Sequence, residues 1–122
     1  MKKFLITGGA GFVGSHLAEE LIKKGEVVTI LDDLNTGKMS NLEKIIDKIN
    51  FVKGDIRNFS DLEKICENVD GIFHQAARAS VQESFQKPEE YFEVNVKGTK
   101  NIFTIAQKKN LKVIFALTTS FT

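Results

Sequence analysis

The chain has 122 residues, 42% of them hydrophobic and 27% charged, and its formal net charge is +1. These values are ordinary for a globular domain, and they give no electrostatic reason to expect nucleic acid or a membrane as a partner. No apolar run approaches the roughly 20 residues of a membrane span. The single cysteine, Cys66, excludes an internal disulfide, so we expect a core thiol and a cytoplasmic protein.

The first elements are predicted from an apolar run, three glycines and an amphipathic segment. Residues 4–7 (FLIT) read as a buried strand, and Gly8, Gly11 and Gly14 follow at three-residue spacing. Gly8 is expected to form a turn, Gly11 to let a pyrophosphate approach the backbone, and Gly14 to let helix and strand pack closely. The unpaired amides and positive dipole end of the helix that follows can hold a diphosphate.

This helix is predicted from Gly11 to Lys24, with Val13, Leu17 and Leu21 facing the sheet and Gly25 ending it. The next strand, 27–31, ends at Asp32. An acid there can accept hydrogen bonds from both hydroxyls of an adenosine ribose and would repel a 2′-phosphate, which favours NAD over NADP. The alternative is a plain βαβ unit with glycines for packing and Asp32 as a strand-end cap.

The later segments continue the alternation of helices and strands. They are a short helix from a capping box at 40–43, a third strand from 51 that ends in another acid, Asp55, a helix from a capping box at 60–63, a fourth strand at 72–74, a long helix at 88–109 and a fifth strand at 112–116. This alternation predicts an α/β fold, a Rossmann-type doubly wound parallel sheet with strand order 3-2-1-4-5 and helices on both faces. Phe73 and Ile114 are expected to be exposed beside an unpaired strand edge, which predicts self-association or a partner there.

Several short motifs occur in a fixed order along the chain. They are TGGAGFVG (7–14), LDDL (31–34), GDIR (54–57), FHQAA (73–77), SV (80–81), Pro88 and NVKGT (95–99). Together they resemble the extended short-chain dehydrogenase/reductase family, particularly NAD-dependent epimerases and dehydratases of the UDP-glucose 4-epimerase type. The resemblance covers the whole chain.

The resemblance implies a cofactor site for NAD and no metal. The residues implied to contact NAD are Gly8, Gly11, Phe12 and Val13 at the diphosphate, Asp32, Asp33, Asn35, Thr36 and Gly37 near the adenosine ribose, Asp55 and Ile56 at adenine, and Gln75, Ala76, Ala77 and Asn95 along the remainder. Two of these have open alternatives, since Asp55 could be a turn residue and Asn95 an exposed helix residue. His16 and His74 are interpreted as structural, and Arg78 alone is weak evidence for an anion contact.

The family's chemistry depends on a tyrosine and a lysine four positions apart on a later helix. Here the one tyrosine, Tyr91, precedes the fifth strand and has Asn95 at the lysine position, so we do not expect it to be the catalyst. Thr118 is the best match to the family's catalytic Ser/Thr, although Leu117 departs from the pattern.

We therefore expect residues 1–122 to form an NAD-binding domain that lacks the family's catalytic helix and substrate region. The implied function is the NAD-binding portion of a nucleotide-sugar epimerase or dehydratase, not catalytically competent alone. The alternative is a non-catalytic NAD-binding domain or sensor.

Overall fold

A computed structural model of the chain describes residues 1–34, 37–75, 86 and 88–115, without the side chains of Tyr91 and Phe115. The strands are β1 (Lys3–Thr7), β2 (Val27–Asp32), β3 (Asn50–Lys53), β4 (Gly71–His74) and β5 (Lys112–Phe115). The helices are α1 (Phe12–Lys23), α2 (Phe59–Ile65), α3 (Pro88–Phe92) and α4 (Thr99–Lys109), with a π-helical segment (Glu93–Gly98) between α3 and α4 and two 3₁₀ turns (Met39–Leu42 and Ile46–Lys48).

The five strands form one parallel sheet in the order β3-β2-β1-β4-β5, which confirms the predicted topology. The central strand β1 ends at Thr7, which is in register with Leu31 of β2 and His74 of β4. The carboxyl ends of β1, β2 and β4 therefore meet at one edge of the sheet. In such sheets ligands bind where the strand order reverses, which here is between β1 and β4.

Each face of the sheet has its own apolar core. On one face α1 and the 3₁₀ turns pack over Ile6, Val28 and Ile30. On the other face α2, the π segment and α4 enclose Leu5, Leu31 and Ile72. These two cores confirm the predicted division of the helices between the faces.

The predicted inward stripe of α1 was partly wrong. Val13 is 43% exposed, whereas Gly14 and Ala18 are buried and Leu17 and Leu21 are half-buried. The buried stripe is centred on Gly14 and Ala18, and Val13 lies about 100° away from Gly14 around the helix axis. The C-terminal end follows prediction, because Gly25 has φ +83° and its N–H donates to the carbonyl of Ile22.

Both predicted capping boxes were wrong. Ser40 lies inside the first 3₁₀ turn and begins no α-helix. The helix α2 is capped by Asn58 rather than Ser60, since Asn58 Oδ1 accepts a hydrogen bond from the N–H of Asp61 at 3.1 Å. Asn is as favourable an N-cap as Ser, and with Asn58 in that position the helix begins at Phe59, ahead of the predicted start.

Three other predictions about elements needed correction. The third strand ends at Lys53 rather than at Asp55. The long helix is interrupted by the π segment Glu93–Gly98. Ile114 is 52% exposed as expected, but Phe73 is half-buried because the ring of Phe4 packs edge-on against it, with the centroids 5.5 Å apart. None of the helices in the described part of the chain is long and apolar enough to cross a bilayer.

Candidate functional site

The site begins with the glycine loop, residues 8–11, between β1 and α1. Gly8 has φ +73°, a conformation that favours glycine, and its N–H donates to the carbonyl of Leu31 at 2.8 Å. A Cβ at Gly14 would lie 2.6 Å from the carbonyl oxygen of Gly8 and 2.8 Å from Gly9 Cα. Glycine at position 14 thus lets the first turn of α1 lie directly on the loop that follows β1, whereas the sequence predicted close packing of the helix on the strand.

The N-terminus of α1 opens at the end of this loop. Gly11 is its N-cap, no side chain among the described residues caps it, and its first turn contains no acid. The N–H groups of Phe12, Val13 and Gly14 have no intrahelical acceptor, because the carbonyls four residues before them lie outside the helix. Helix geometry therefore leaves these N–H groups for an external partner. The side chain of Phe12 is 72% exposed and stacks on His16, whose Nδ1 pairs with the carbonyl of Phe12 at 2.8 Å. An anion at these amides would face the positive end of the helix dipole.

Asp32, at the end of β2, is bound directly to the glycine loop. Its Oδ2 accepts from the N–H of Ala10 at 2.9 Å, and its Oδ1 accepts from the N–H of Leu34 at 2.7 Å. The residue is only 7% exposed, and this burial raises the pKa of the carboxyl against the lowering effect of the two backbone hydrogen bonds. The structure therefore brings together the carboxylate and the glycine loop that the sequence predicted to share one ligand.

The segment after β2 completes this side of the site. Asp33 is half-buried, and its charge contributes to the raised pKa of Asp32. Gly37 is buried against the same carboxylate, since a Cβ there would lie 2.7 Å from Asp32 Oδ2. The predicted ligands Asn35 and Thr36 lie outside the described residues.

One group of contacts in this region was not predicted. The carbonyl of Ala10 accepts from the N–H of Lys38 at 3.0 Å and from Asn41 Nδ2 at 2.8 Å. With the bond from its N–H to Asp32, both backbone polar groups of Ala10 are held, the N–H by the end of β2 and the carbonyl by the segment that follows β2. No local pattern marks Asn41, because its partner lies 31 residues earlier.

The 55–57 loop follows β3. Both carboxylate oxygens of Asp55 accept hydrogen bonds from Arg57, whose N–H, Nε and Nη2 all contribute. Three N–H groups of Arg57 make these contacts, and a carboxylate has about four acceptor positions. The side chain of Ile56 is 4% exposed and belongs to the core, so its backbone is the part that could meet a ligand.

The end of β4 is fixed by a buried polar chain. The N–H of Gln75 donates to the carbonyl and Oγ1 of Thr7, Thr7 Oγ1 lies 2.6 Å from His74 Nδ1, and His74 Nε2 lies 2.8 Å from Thr99 Oγ1. Burial lowers the pKa of His74 to about 4, so the ring is neutral at pH 7. This agrees with a structural role for His74 and places Gln75 at the site edge.

The remaining predicted residues are only partly accounted for. Asn95 is half-buried within the π segment, and such segments are frequent at functional sites. Tyr91 lies in α3, ahead of β5, where the sequence placed it. Ala76, Ala77, Arg78 and Thr118 lie outside the described residues.

The donors and acceptors described above fit a dinucleotide. The open amides of α1 suit a diphosphate, and the carboxylate beside them suits a ribose diol. Within residues 1–34, 37–75, 86 and 88–115, no three His, Cys, Asp or Glu side chains are grouped to hold a metal ion.

Several known proteins are similar to this chain in sequence or in structure. The chain is 43% identical over 117 residues to UDP-N-acetyl-alpha-D-glucosaminuronate decarboxylase of Bacillus cytotoxicus, covering 96% of this chain and 36% of that protein. It is 41% identical over 114 residues to a putative UDP-glucose 4-epimerase of Methanocaldococcus jannaschii, covering 92% and 36%. A crystal structure of Thermus thermophilus UDP-glucose 4-epimerase in complex with NAD superimposes with a TM-score of 0.86 at 37% identity, covering 95% of this chain and 37% of that one.

The chain thus spans about a third of the length of these relatives. The family model for the NAD dependent epimerase/dehydratase family matches residues 4–122. This match covers almost the whole chain. The motifs at the glycine loop and at Asp32 are among those by which the sequence resembles this family. The chain belongs to the NAD-dependent epimerase/dehydratase family.

Proposed function

We propose that this chain binds NAD, with the diphosphate at the N-terminus of α1 and the adenosine ribose at Asp32. The observation that carries the proposal is the hydrogen bond from the N–H of Ala10 to Asp32 Oδ2, which joins the two predicted binding elements. The relative from Thermus thermophilus, whose structure is a complex with NAD, supports the choice of cofactor.

In this proposal three groups of residues contact three different parts of NAD. The amides of Phe12 and Val13 face the diphosphate, as the geometry of a helix N-terminus allows. The carboxylate of Asp32 accepts from the ribose hydroxyls, and its negative charge opposes the 2′-phosphate of NADP. Gln75, Asn95 and the 55–57 loop border the rest of the dinucleotide. When bound, NAD supplies the hydride acceptor.

The test is a comparison of two carboxylate-to-amide variants. Asp32→Asn removes the charge and one acceptor at the ribose, so NAD affinity falls about tenfold or more and the preference for NAD over NADP narrows. Asp47→Asn makes the same chemical change at an exposed 3₁₀ turn and leaves both affinities unchanged. Affinities come from calorimetric titration, and thermal melting of the free variants checks that each is folded. Wild-type protein whose melting temperature is the same with and without excess NAD would refute the proposal.

We further propose that a protein carrying this domain acts on a nucleotide sugar by reversible hydride transfer, as an epimerase, decarboxylase or dehydratase. Two relatives support this proposal by their names, one a UDP-N-acetyl-alpha-D-glucosaminuronate decarboxylase and the other a putative UDP-glucose 4-epimerase. In this proposal Thr118 is a member of the catalytic group, and these 122 residues alone bind NAD without turnover. Incubation of the chain with NAD and UDP-glucose should therefore give no NADH absorbance and no epimer. We place this function in the cytoplasm.

We also propose that the exposed sheet face around Ile114 associates with a second copy of the chain. Ile114 is 52% exposed on a strand that pairs only with β4 within the described residues. Sedimentation should show a concentration-dependent dimer that Ile114→Lys dissociates. A monomer at high concentration contradicts this proposal.

A further inference from the structure

The helical stretch after β4 holds the 55–57 loop through one amide side chain. Asn101, in the first turn of α4, donates from Nδ2 to the carbonyl of Ile56 at 3.0 Å and to the carbonyl of Arg57 at 3.2 Å. The partners are 45 and 44 residues away in sequence. Two consecutive peptide groups of the loop are therefore fixed to α4 by one side chain.

Two other contacts join the same loop to the same helical stretch. The side chain of Ile56 fills the space over Gly98, where a Cβ would lie 2.5 Å from Ile56 Cδ1. Arg57 Nη1 lies 3.8 Å from Glu93 Oε2. Glu93 and Gly98 are the first and last residues of the π segment. The loop is therefore attached both to the π segment and to α4.

The position of the Asp55 carboxylate depends on this attachment. Arg57 contacts that carboxylate from its backbone N–H at 2.9 Å and from its guanidinium. Because Asn101 fixes the carbonyl of Ile56, it also holds the peptide group that carries the N–H of Arg57, and this N–H is one of the groups that orient Asp55. The side-chain amide of Asn101 thus contacts the backbone of Ile56 and Arg57, and Arg57 in turn contacts the carboxylate of Asp55.

We propose that Asn101 is a positioning residue for adenine recognition: it holds the 55–57 loop so that the Asp55 carboxylate faces the exocyclic amine of the base. The proposal rests on the NAD-binding function above. Asn101 acts through Arg57 and Asp55 and is not assigned a contact with the cofactor. If its role were only to pack α4 on the sheet, its loss would weaken all dinucleotides equally.

The experiment measures base preference. Nicotinamide hypoxanthine dinucleotide replaces the amine of adenine with a carbonyl and leaves the diphosphate and both riboses unchanged. Wild-type protein should bind NAD more tightly than this analogue. In Asn101→Asp, which keeps the shape but loses the donor, and in Asn101→Ala, the preference for NAD falls about five- to tenfold, the range of one hydrogen bond. Ile105→Val removes one methylene from the buried face of α4 and should leave the ratio unchanged.

The outcomes separate the two proposals. Wild-type protein that binds neither dinucleotide overturns both. Wild-type protein that prefers NAD, with the same ratio in either folded Asn101 variant, overturns only the positioning role. A third measurement needs no variant: the side-chain amide NMR signals of Asn101 should shift more on addition of NAD than of the hypoxanthine analogue. Equal shifts overturn the positioning role even if neither variant folds.

Discussion

The buried histidine at the end of β4 predicts how acid destabilises the fold. His74 is 1% exposed, and its two ring nitrogens lie within hydrogen-bond distance of Thr7 Oγ1 and Thr99 Oγ1. Its ring thus connects β1, β4 and α4 beside the site. Burial disfavours the imidazolium, which is why the pKa of His74 is lowered to about 4.

The size of the effect follows from proton linkage. Above pH 6.5 the ring is neutral in both folded and unfolded states, so its pKa shift does not change stability there. Between pH 6.5 and about 4 the unfolded chain binds a proton that the folded protein does not, so stability falls as pH falls. A displacement from 6.5 to about 4 corresponds to roughly 3 kcal/mol at 1.36 kcal/mol per pKa unit. Below pH 4 this contribution stays constant.

The assay is urea denaturation at intervals from pH 7 to 4, on wild-type protein and on His74→Gln. The carboxylates titrate in both proteins, so the difference between the two curves isolates His74. We expect His74→Gln to be less stable at pH 7 and to lose about 3 kcal/mol less on acidification. The pKa of His74 can also be read from its ring proton by NMR. Parallel curves, or a ring that titrates near pH 6.5 in the folded protein, would refute the reasoning.

Three further predictions test other parts of the site and of the core. Gly14→Ala places a Cβ 2.6 Å from a backbone oxygen of the glycine loop, so it should lower the free energy of unfolding by about 1–3 kcal/mol in urea titrations and weaken NAD binding. Gly25→Ala is the control, because Gly25 is far from the loop and has open space around its Cβ. It should lower the free energy of unfolding by about 1 kcal/mol and leave NAD affinity unchanged. Asn41→Ala removes the 2.8 Å bond to the carbonyl of Ala10 and should lower NAD affinity about three- to tenfold by calorimetry. Cys66 is 1% exposed and its pKa is raised to about 11, so Ellman's reagent should modify it more than about a hundredfold slower at pH 8 than after denaturation.

Much of the fold and part of the site were predictable because their signals are local. Apolar runs and glycines define the strands and the first turn, and the alternation of elements then allows few topologies. Asp32 could be assigned because its distance from Gly14 along the chain sets its place at the sheet edge. Gly8 could be assigned because its left-handed conformation is one that few other residues adopt.

The parts that were missed depend on contacts between distant segments. Asn41 and Asn101 look like ordinary exposed polar residues in sequence, and only the folded chain brings each beside a backbone carbonyl. The π segment is likewise not distinguishable from an α-helix in the sequence pattern. The contact between its Gly98 and Ile56 of the 55–57 loop forms only in the folded chain. The capping error had a different cause, since Asn58 and Ser60 compete for the same helix end and sequence alone does not rank them.

The missed contacts share one physical consequence. Three loop peptides that border the proposed dinucleotide path are fixed by side chains from other elements: Ala10 by Asp32 and Asn41, residues 56–57 by Asn101, and Gln75 by Thr7. No buried side-chain nitrogen or oxygen among the described residues is without a hydrogen-bond partner. These loops therefore lose their conformational entropy during folding, so the free energy of binding does not include the cost of ordering them. A site built in this way gains affinity from rigidity, so removing the side-chain bonds of Asn41 or Asn101 should weaken binding through loop order, by displacing the groups that contact the dinucleotide.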